Sequence, residues 1–425
     1  MFNSWYFFLV VLLFASTSLS AQSRFNSPYS RYGLGTLVDQ GLNPQTMAMG
    51  DLHYGMQRQD LINPTNPASY AAFETASFIF DAGVFGTVVN LRTTKLSESG
   101  NYISLSHLLF GFPVTSYWKT SFGVLPYSYV GYDVISEQIL EGIGRAQYVY
   151  QGSGGLNQLY WGNAFKLGKK FSIGFNLKFM FGSIIRQRAI GFPDSLAMKN
   201  TRTASIVTAN DLYGDIGIQY KTPLGSKLVL VAGATFQPQM DIRAKAHTLT
   251  TTYFGTINSV QYARDTVELI PLAKGSFILP MKIGGGFTLS KPEFLTVGAD
   301  FYWEGWEKYR MYGESDSLRN AWNLSIGGEI TPNSRAFESY FQRVSYRMGF
   351  RYGETPLELR GKHLNEFGIS FGFGFPIKRS KSTINLSLEL GKRGTTSNSL
   401  IKENFIRFTL GVNIFENWFK KMKYF

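Results

Sequence analysis

Cysteine is absent from the 425-residue chain, and histidine occurs four times. A disulfide framework, thiolate metal sites and a lipid attached to cysteine are therefore excluded. No stretch contains the about 18 consecutive apolar residues that a transmembrane helix needs. The mean hydropathy of −0.08 is also too polar for a helical membrane protein. If the chain enters a membrane, it must do so with strands.

The sequence also lacks the usual catalytic signatures. It contains no nucleophile elbow, paired-histidine metal spacing or phosphate loop. The three consecutive glycines at 284–286 are followed by Phe287, where a phosphate loop requires a lysine. His107 follows Ser106, but adjacent strand residues point to opposite faces, so we expect no hydrogen bond between their side chains. We therefore predict no catalytic residues, no metal and no cofactor.

Aromatic residues make up 16% of the chain, and 44 residues are glycine. The clearest pattern lies at 171–182, where every second residue is large and apolar and the others are mostly small or polar: Phe171, Ile173, Phe175, Leu177, Phe179 and Phe181 against Ser172, Gly174, Asn176, Lys178, Met180 and Gly182. This period of two indicates a strand. Similar strands recur with little helical sequence to cover them. The pattern therefore predicts a closed barrel whose apolar row meets lipid.

About fourteen such strands can be counted between residues 76 and 415, with uncertain bounds around 240–275. Their connections alternate between short and long. The short ones lie near Pro113, Gly168, Pro223, Pro292, Pro332 and Pro376, and the long ones near 93–100, 133–155, 188–204, 244–269, 307–317, 354–361 and 394–401. Short periplasmic turns and long outer loops are typical of outer-membrane barrels. We predict an all-β, closed antiparallel transmembrane β-barrel with both ends in the periplasm.

The rest of the chain is assigned by composition. Residues 1–21 have the apolar core and small residues of a cleaved signal peptide. Residues 22–75 are rich in Asn, Gln, Pro and Gly and lack strand alternation. Residues 76–415 form the barrel, and 416–425 are predicted to be a periplasmic tail at the membrane interface. The net charge of +13 comes from dispersed Lys and Arg, so we expect contact with lipid headgroups and no nucleic acid.

Three stretches resemble the FadL-type family of long-chain fatty-acid transporters: 47–50 (MAMG), 62–70 (INPTNPASY) and 76–83 (ASFIFDAG). That family has a fourteen-stranded barrel closed by an N-terminal hatch with an Asn-Pro-Ala motif. The resemblance implies that residues 22–75 are a hatch inside the lumen. It assigns the hatch motif to these residues: Asn63, Pro64, Asn66, Pro67 and Ala68.

The resemblance also implies a sideways exit for the ligand at a kink in the third strand. In this chain the third strand carries Gly123 and Pro126. Proline cannot donate to the strand ladder, so Pro126 must interrupt pairing. Two interpretations stay open, a lateral gate and an ordinary β-bulge.

Several charged residues fall on inward positions: Lys178, Asp215, Lys282, Asp300, Glu329, Arg347, Arg351, Glu389 and Arg407. A path for fatty acids should be apolar instead. We expect these charges to pair with hatch residues Asp51, Arg58, Asp60 and Glu74.

Two functions therefore follow from the sequence. The first is passive uptake of hydrophobic, fatty-acid-like molecules through a hatch-gated lumen in the outer membrane of a Gram-negative bacterium. The alternative is a non-transporting barrel subunit of an outer-membrane protein-export or assembly complex. The expected partners are outer-membrane lipids, with a hydrophobic ligand in the first case and other proteins in the second.

Overall fold

The computed structural model describes residues 27–38, 43–195, 198–254, 263–316, 318–336, 339–378 and 380–417. The predicted signal peptide at 1–21 lies outside these residues, as do residues 418–425 of the predicted tail. Among the described residues, no helix is long and apolar enough to cross a membrane.

Fourteen antiparallel strands form a closed wall, in chain order. They are β1 Ser77–Arg92, β2 Ser97–Pro113, β3 Trp118–Leu140, β4 Gly144–Leu167, β5 Phe171–Gly191, β6 Asn200–Leu224, β7 Leu228–Gln237 with Met240–Tyr253, β8 Ala263–Leu279 with Lys282–Lys291, β9 Leu295–Glu304, β10 Ala321–Ile330, β11 Ser345–Leu359, β12 Lys362–Pro376, β13 Thr383–Arg393 and β14 Lys402–Asn417. The wall closes where β14 pairs with β1 over their full lengths. The predicted barrel and its strand count are confirmed.

Prolines divide two of the strands. β7 is interrupted at Pro238 and β8 at Pro280, and these breaks lie opposite each other in the wall, between the pairs Gln237–Lys282 and Met240–Leu279. A proline has no backbone N–H to donate to the strand ladder, so β7 and β8 both lose their regular pairing at the same height in the wall.

The two faces of the wall differ as the alternation predicts. In β5, Phe171, Ile173, Phe175 and Leu177 are exposed on the outer face, whereas the residues between them are buried. The same outward row continues round the barrel, for example at Phe371, Leu388 and Phe408. An exposed belt of Phe, Leu and Ile on a single-layered wall matches a lipid-facing surface.

The wall is much taller on one side. Strands β3 to β6 contain 23, 24, 21 and 25 residues, whereas β9 and β10 contain 10 each. The prediction of long loops at 133–155, 188–204, 244–269 and 354–361 was therefore wrong in detail, because most of these residues continue the hairpins as paired strands. Their sequence keeps polar and apolar residues in alternation beyond the membrane, which supports a strand as well as a loop.

The residues before β1 form short elements. These are 3-10 helices at Pro28–Arg31 and Pro67–Ala72, a two-residue strand Thr36–Leu37 that pairs with β3, and the short helix α1, Pro44–Met47. Three further 3-10 helices, Trp306–Lys308, Phe341–Arg343 and Ser397–Ser399, lie in connections between strands. We call the described residues 27–38 and 43–75 the N-terminal segment.

An apolar cluster joins the N-terminal segment to the tall side of the wall. It includes Leu34, the inward residues of β3 to β8 and the connection after β9, with these members among others: Tyr127, Leu156, Met180, Tyr213, Phe277, Trp306 and Tyr309. A packed core of this kind fills the outer part of the lumen with side chains.

The lipid-facing assignment predicts a depth-dependent cost of charge. Phe408→Arg, in the middle of the outer row of β14, should lower the free energy of unfolding in lipid vesicles by about 2–4 kcal/mol. The control Ile139→Arg lies in the tall β3–β4 hairpin, where Ile139 is 84% exposed, and should change the free energy by less than about 0.5 kcal/mol. Equal effects of the two substitutions in a urea titration would contradict a lipid-facing belt.

Candidate functional site

The inner wall carries glycines that admit the N-terminal segment. A methyl group added at Gly349 would lie 2.0 Å from the backbone nitrogen of Gly50, and one at Gly233 would lie 1.9 Å from the carbonyl oxygen of Tyr54. The segment also comes within 2.8 Å on other strands, with its backbone at Gly174 in β5 and Gly327 in β10 and with side chains at Gly111 in β2, Gly162 in β4, Gly217 in β6, Gly284 in β8, Gly372 in β12 and Gly411 in β14. Glycine in a strand interior is expected where another backbone comes this close. We call these residues the glycine slots.

Inward polar side chains then bond to the backbone of the same segment. Gln219 of β6 donates to the carbonyl oxygens of Tyr54 (2.9 Å) and Met56 (3.1 Å). Thr288 of β8 donates to Gly55, and Asn413 of β14 donates to Asp60, at 2.7 and 2.8 Å. Backbone groups that lack regular secondary structure are thus satisfied by the wall, as buried polar groups must be.

The predicted hatch motif takes part in the contact between the N-terminal segment and the wall. The side chain of Asn66 accepts a hydrogen bond from the N–H of Ala68 and so caps the 3-10 helix that begins at Pro67. Its amide donates to Tyr54 at 2.8 Å. The carbonyl oxygen of Pro64 accepts a hydrogen bond from Asn176 of β5. A capping asparagine followed by proline is a favourable helix start.

Asn63 belongs to a second polar group, around His53. The imidazole lies 3.0 Å from Asp51 through Nε2 and 3.2 Å from Asn63 through Nδ1. Burial alone would lower the pKa of His53, but Asp51, Asp300 and Asn63 together outweigh it and the net effect raises the pKa. Asp300 of β9 accepts hydrogen bonds from the backbone N–H groups of His53 and Tyr54.

One ion-paired group crosses from the segment to the wall. Arg58 lies 3.0 Å from Asp60 of its own segment and 2.7 Å from Glu329 of β10. Glu329 is also 2.5 Å from Arg347 of β11. Burial opposes the charge of Arg58, but the two carboxylates raise its pKa above the ordinary value. Its charge is therefore held permanently inside the lumen.

A second ion-paired chain runs along the wall to the beginning of the described segment. Arg407 and Arg351 both contact Glu389, and Arg351 also contacts Glu366, at distances of 2.5–3.0 Å. The chain continues through Arg393 to Glu403, whose Oε1 accepts a hydrogen bond from Ser27 at 2.6 Å. It connects β11 to β14 with the N-terminal segment.

The remaining predicted lumen charges pair within the wall. Lys178 contacts Asp215 of the neighbouring β6, and Lys282 is 2.9 Å from Glu304 of β9. The other predicted segment charge, Glu74, contacts Lys381 in the turn before β13 at 2.6 Å. The sequence did not single out Glu304, Glu366, Arg393 or Glu403, although each lies on an inward position of an alternating strand.

The predicted gate residues lie beside a seam in the wall. The ladder between β2 and β3 runs from Pro113–Lys119 to Leu108–Val124 and stops there, next to Gly123 and just before Pro126. Beyond this point β3 pairs on that edge with Thr36 and Leu37 instead. A register shift between Pro126 and Ser128 also marks a bulge against β4. Both features expected of the proline, interrupted pairing and a bulge, are therefore present.

His107 departs from the expectation. Its Nδ1 is 2.8 Å from Ser106, and its Nε2 is 2.8 Å from Asp81. The expected separation was wrong because the β1–β2 register shifts at this point, which leaves Ser106 as an extra residue and turns both side chains to one side. Ser106 and His107 have no exposed surface, so no substrate can reach them. The described residues also contain no group of three His, Asp or Glu placed to hold a metal.

An inner cavity of about 160 Å³ separates residues 29–38 from strands β9 to β14. Its lining combines aromatic and aliphatic groups such as Leu34 and Trp322 with the ion-paired Arg351, Glu389 and Arg407. Ligand pockets commonly measure about 300–1,000 Å³ and are mostly apolar. This cavity is smaller and carries more charge.

The family model described as BamG matches residues 2–425. The chain belongs to the BamG family. No curated protein matches it significantly.

Solved structures share its fold at low identity. The toluene transporter TodX of Pseudomonas putida has a TM-score of 0.59 and 16% identity, covering 90% of this chain and 100% of that one. A FadL homologue of Pseudomonas aeruginosa has a TM-score of 0.58 and 11% identity, covering 90% and 100%. The toluene transporter TbuX of Ralstonia pickettii has a TM-score of 0.55 and 14% identity, covering 89% and 99%. The predicted FadL-type barrel fold is confirmed, and these similar structures are described as two toluene transporters and a FadL homologue.

The glycine slots can be tested by filling two of them. Gly349→Ala and Gly327→Ala should each lower the free energy of unfolding by about 1–3 kcal/mol, because the added methyl group overlaps the segment backbone. Limited proteolysis should then cut the segment more readily than in the wild type. Gly285→Ala is the control, because the nearest atom to its new methyl group lies 3.6 Å away. If all three variants behave alike, the slots do not position the segment.

Proposed function

We propose that this member of the BamG family is a non-conducting outer-membrane barrel that serves as a rigid subunit of a protein complex. The observation that carries the proposal is the attachment of the N-terminal segment around the inner wall, through the glycine slots, backbone hydrogen bonds and the Arg58–Glu329 pair. With residues 22–75 as a hatch, the lumen would be filled by protein from the level of the membrane core up to the outer apolar cluster.

Energetics favour a fixed hatch over a moving one. Removing one partner of a buried ion pair typically costs about 3–5 kcal/mol, and each buried hydrogen bond left unmade costs about 1–3 kcal/mol more. Opening the lumen would break the Arg58–Glu329 pair and the bonds from Gln219, Thr288 and Asn413 together. Toluene offers no charge or hydrogen bond to replace them, and a fatty acid offers only one carboxylate.

The tall side of the wall offers a surface for partners. Beyond the membrane, the β3–β4 hairpin and the outer part of β8 carry exposed aliphatic residues, among them Ile135, Ile139, Val267, Leu269 and Leu272. Exposed apolar groups outside the lipid belt are typical of protein contact surfaces.

Uptake of hydrophobic small molecules is the second candidate, and the seam beside Pro126 favours it. Inside the seam lies an apolar group of Met47, Phe85 and Tyr102, and the similar structures TodX and TbuX are described as toluene transporters. An outer cavity of about 500 Å³ also lies between residues 28–32 and the β3–β4 hairpin.

Co-purification in mild detergent, followed by mass spectrometry, separates the two functions. The subunit proposal predicts stoichiometric protein companions, and a deletion strain should take up fatty acids and toluene at the wild-type rate. Bound lipid without companions, together with reduced uptake in the deletion strain, would overturn it in favour of uptake.

The uptake candidate makes its own prediction about the seam. Pro126→Val restores a backbone donor and should extend strand pairing, so uptake should fall if the seam is the exit. Ser128→Val, two residues further along the strand, is the control. Unchanged uptake in the Pro126 variant would remove the lateral gate.

A further inference from the structure

The short-turn end of the barrel carries a cluster of lysines that points inward. Lys119 of β3 lies on the same row as Ser121, and Lys166 of β4 lies on the row of Tyr160; these two rows meet inside the lumen, where Ser121 and Tyr160 are 2.8 Å apart. Lys221 of β6 continues the row of Gln219, which contacts the N-terminal segment. Alternation along a strand therefore places these lysines at the mouth of the lumen.

Further lysines extend the cluster along the adjacent turns, namely Lys169, Lys170 and Lys227. Lys170 precedes the lipid-facing Phe171, so it falls on the inward row, and its carbonyl accepts a hydrogen bond from the N–H of Lys221. Lys166, Lys170 and Lys221 are exposed. We call Lys119, Lys166, Lys169, Lys170, Lys221 and Lys227 the basic mouth; Lys119 is its one buried member.

No acidic residue lies in the three stretches that form the mouth, 113–121, 164–175 and 217–230. Within the described part of the chain, none of its lysines forms an ion pair with Asp or Glu, and Nζ of Lys119 donates to the carbonyl oxygen of Thr115. The contrast with the lumen above is sharp, since there the charges are paired. Like charges gathered without counter-ions repel each other and attract an anionic partner.

The direction of the side chains argues against lipid as that partner. A lysine that reaches headgroups lays its stem along the apolar surface beside the lipid. At this height the lipid-facing row consists of Phe165, Phe171 and Tyr220, and the last two rings pack at a tilt with their centroids 4.7 Å apart. The exposed lysines of the basic mouth lie on the inward rows, at the opening of the barrel, instead.

We propose that the basic mouth binds an acidic segment of a periplasmic protein. Four adjacent strands with a spacing of about 4.8 Å make the cluster roughly 15 Å wide, which fits an extended acidic chain better than a single small anion. The turns of this end are the short ones, and β1 begins and β14 ends here, as expected of the periplasmic end. The inference rests on the proposed role as a complex subunit and assigns one of its docking surfaces.

A defined probe tests the chemistry. Fluorescence anisotropy would measure binding of an oligoglutamate peptide to the purified full-length protein in detergent. The triple variant Lys166→Glu, Lys170→Glu and Lys221→Glu should bind the peptide about tenfold more weakly or worse, because three attractive rim charges become repulsive. The triple variant with Lys166→Gln, Lys170→Gln and Lys221→Gln removes the charges without reversing them, so it should lose an intermediate part of the peptide affinity. A graded loss of this kind distinguishes an effect of charge from misfolding.

The matched control changes the same number of charges at the opposite end: Lys245→Glu, Lys274→Glu and Lys362→Glu. These lysines are exposed on the outer hairpins, and the control should bind the peptide as the wild type does. Equal loss in both charge-reversal variants would overturn the proposal. Unchanged peptide binding by the mouth variant would also overturn it. The same holds if the mouth variant keeps its affinity for the peptide and loses only binding to vesicles that contain phosphatidylglycerol.

Co-purification of the same variants distinguishes failure of this inference from failure of the proposed role as a complex subunit. Companions that leave the mouth variant but stay with the control support the acidic partner. If companions stay with both variants, the inference fails while the subunit role stands. If the wild type itself has none, the subunit role fails.

Discussion

The close fit between the N-terminal segment and the inner wall determines the rest of this structure. A segment with little regular secondary structure brings many backbone N–H and C=O groups into a low-dielectric interior, and each one needs a partner. Glycines let the backbone approach the wall, and residues such as Gln219 and Asn413 then supply the missing hydrogen bonds. Charge adds to the fit, since Arg58 reaches a carboxylate that already holds Arg347.

The same wall meets two different solvents, and each strand serves both by alternation. In β5 the outer row is Phe, Ile and Leu, while the inner row offers Gly174, Asn176 and Lys178 to the segment and to the neighbouring strand. Because the outer row requires only apolar bulk, it tolerates many sequences. The inner row requires specific partners at specific heights, which ties the barrel to its own N-terminal segment.

The outer row is also why the fold could be predicted from the sequence. Hydrophobic alternation is a local signal, and it indicated fourteen strands, a barrel and the inward position of residues such as Arg347 and Glu389. Pairing across the lumen is not local. The inward charges were expected to pair with the N-terminal segment, but nothing in the neighbourhoods of Arg58 and Glu329 indicates that these two residues in particular meet. Gly174 was visible as a small residue opposite the apolar row, but which residues of the N-terminal segment each glycine slot admits depends on the path of residues 43–75.

Two details show where alternation fails as a guide. An extra residue in β2 turned Ser106 toward His107, because a bulge breaks the period of two without a distinctive sequence. The outer hairpins were predicted as loops because strand pairing there has no membrane to favour it. In both cases tertiary pairing decides the outcome, and the sequence pattern alone is compatible with either.

Hydrogen exchange tests most directly the claim that the segment is a fixed part of the wall. Amides of residues 44–73 and of strand β11 would be followed by mass spectrometry in detergent and in lipid vesicles. A fixed segment predicts that both exchange slowly and at similar rates, because the segment opens only when the barrel unfolds. Rapid exchange in residues 44–73, while β11 stays protected, would contradict the account and indicate a hatch that opens on its own.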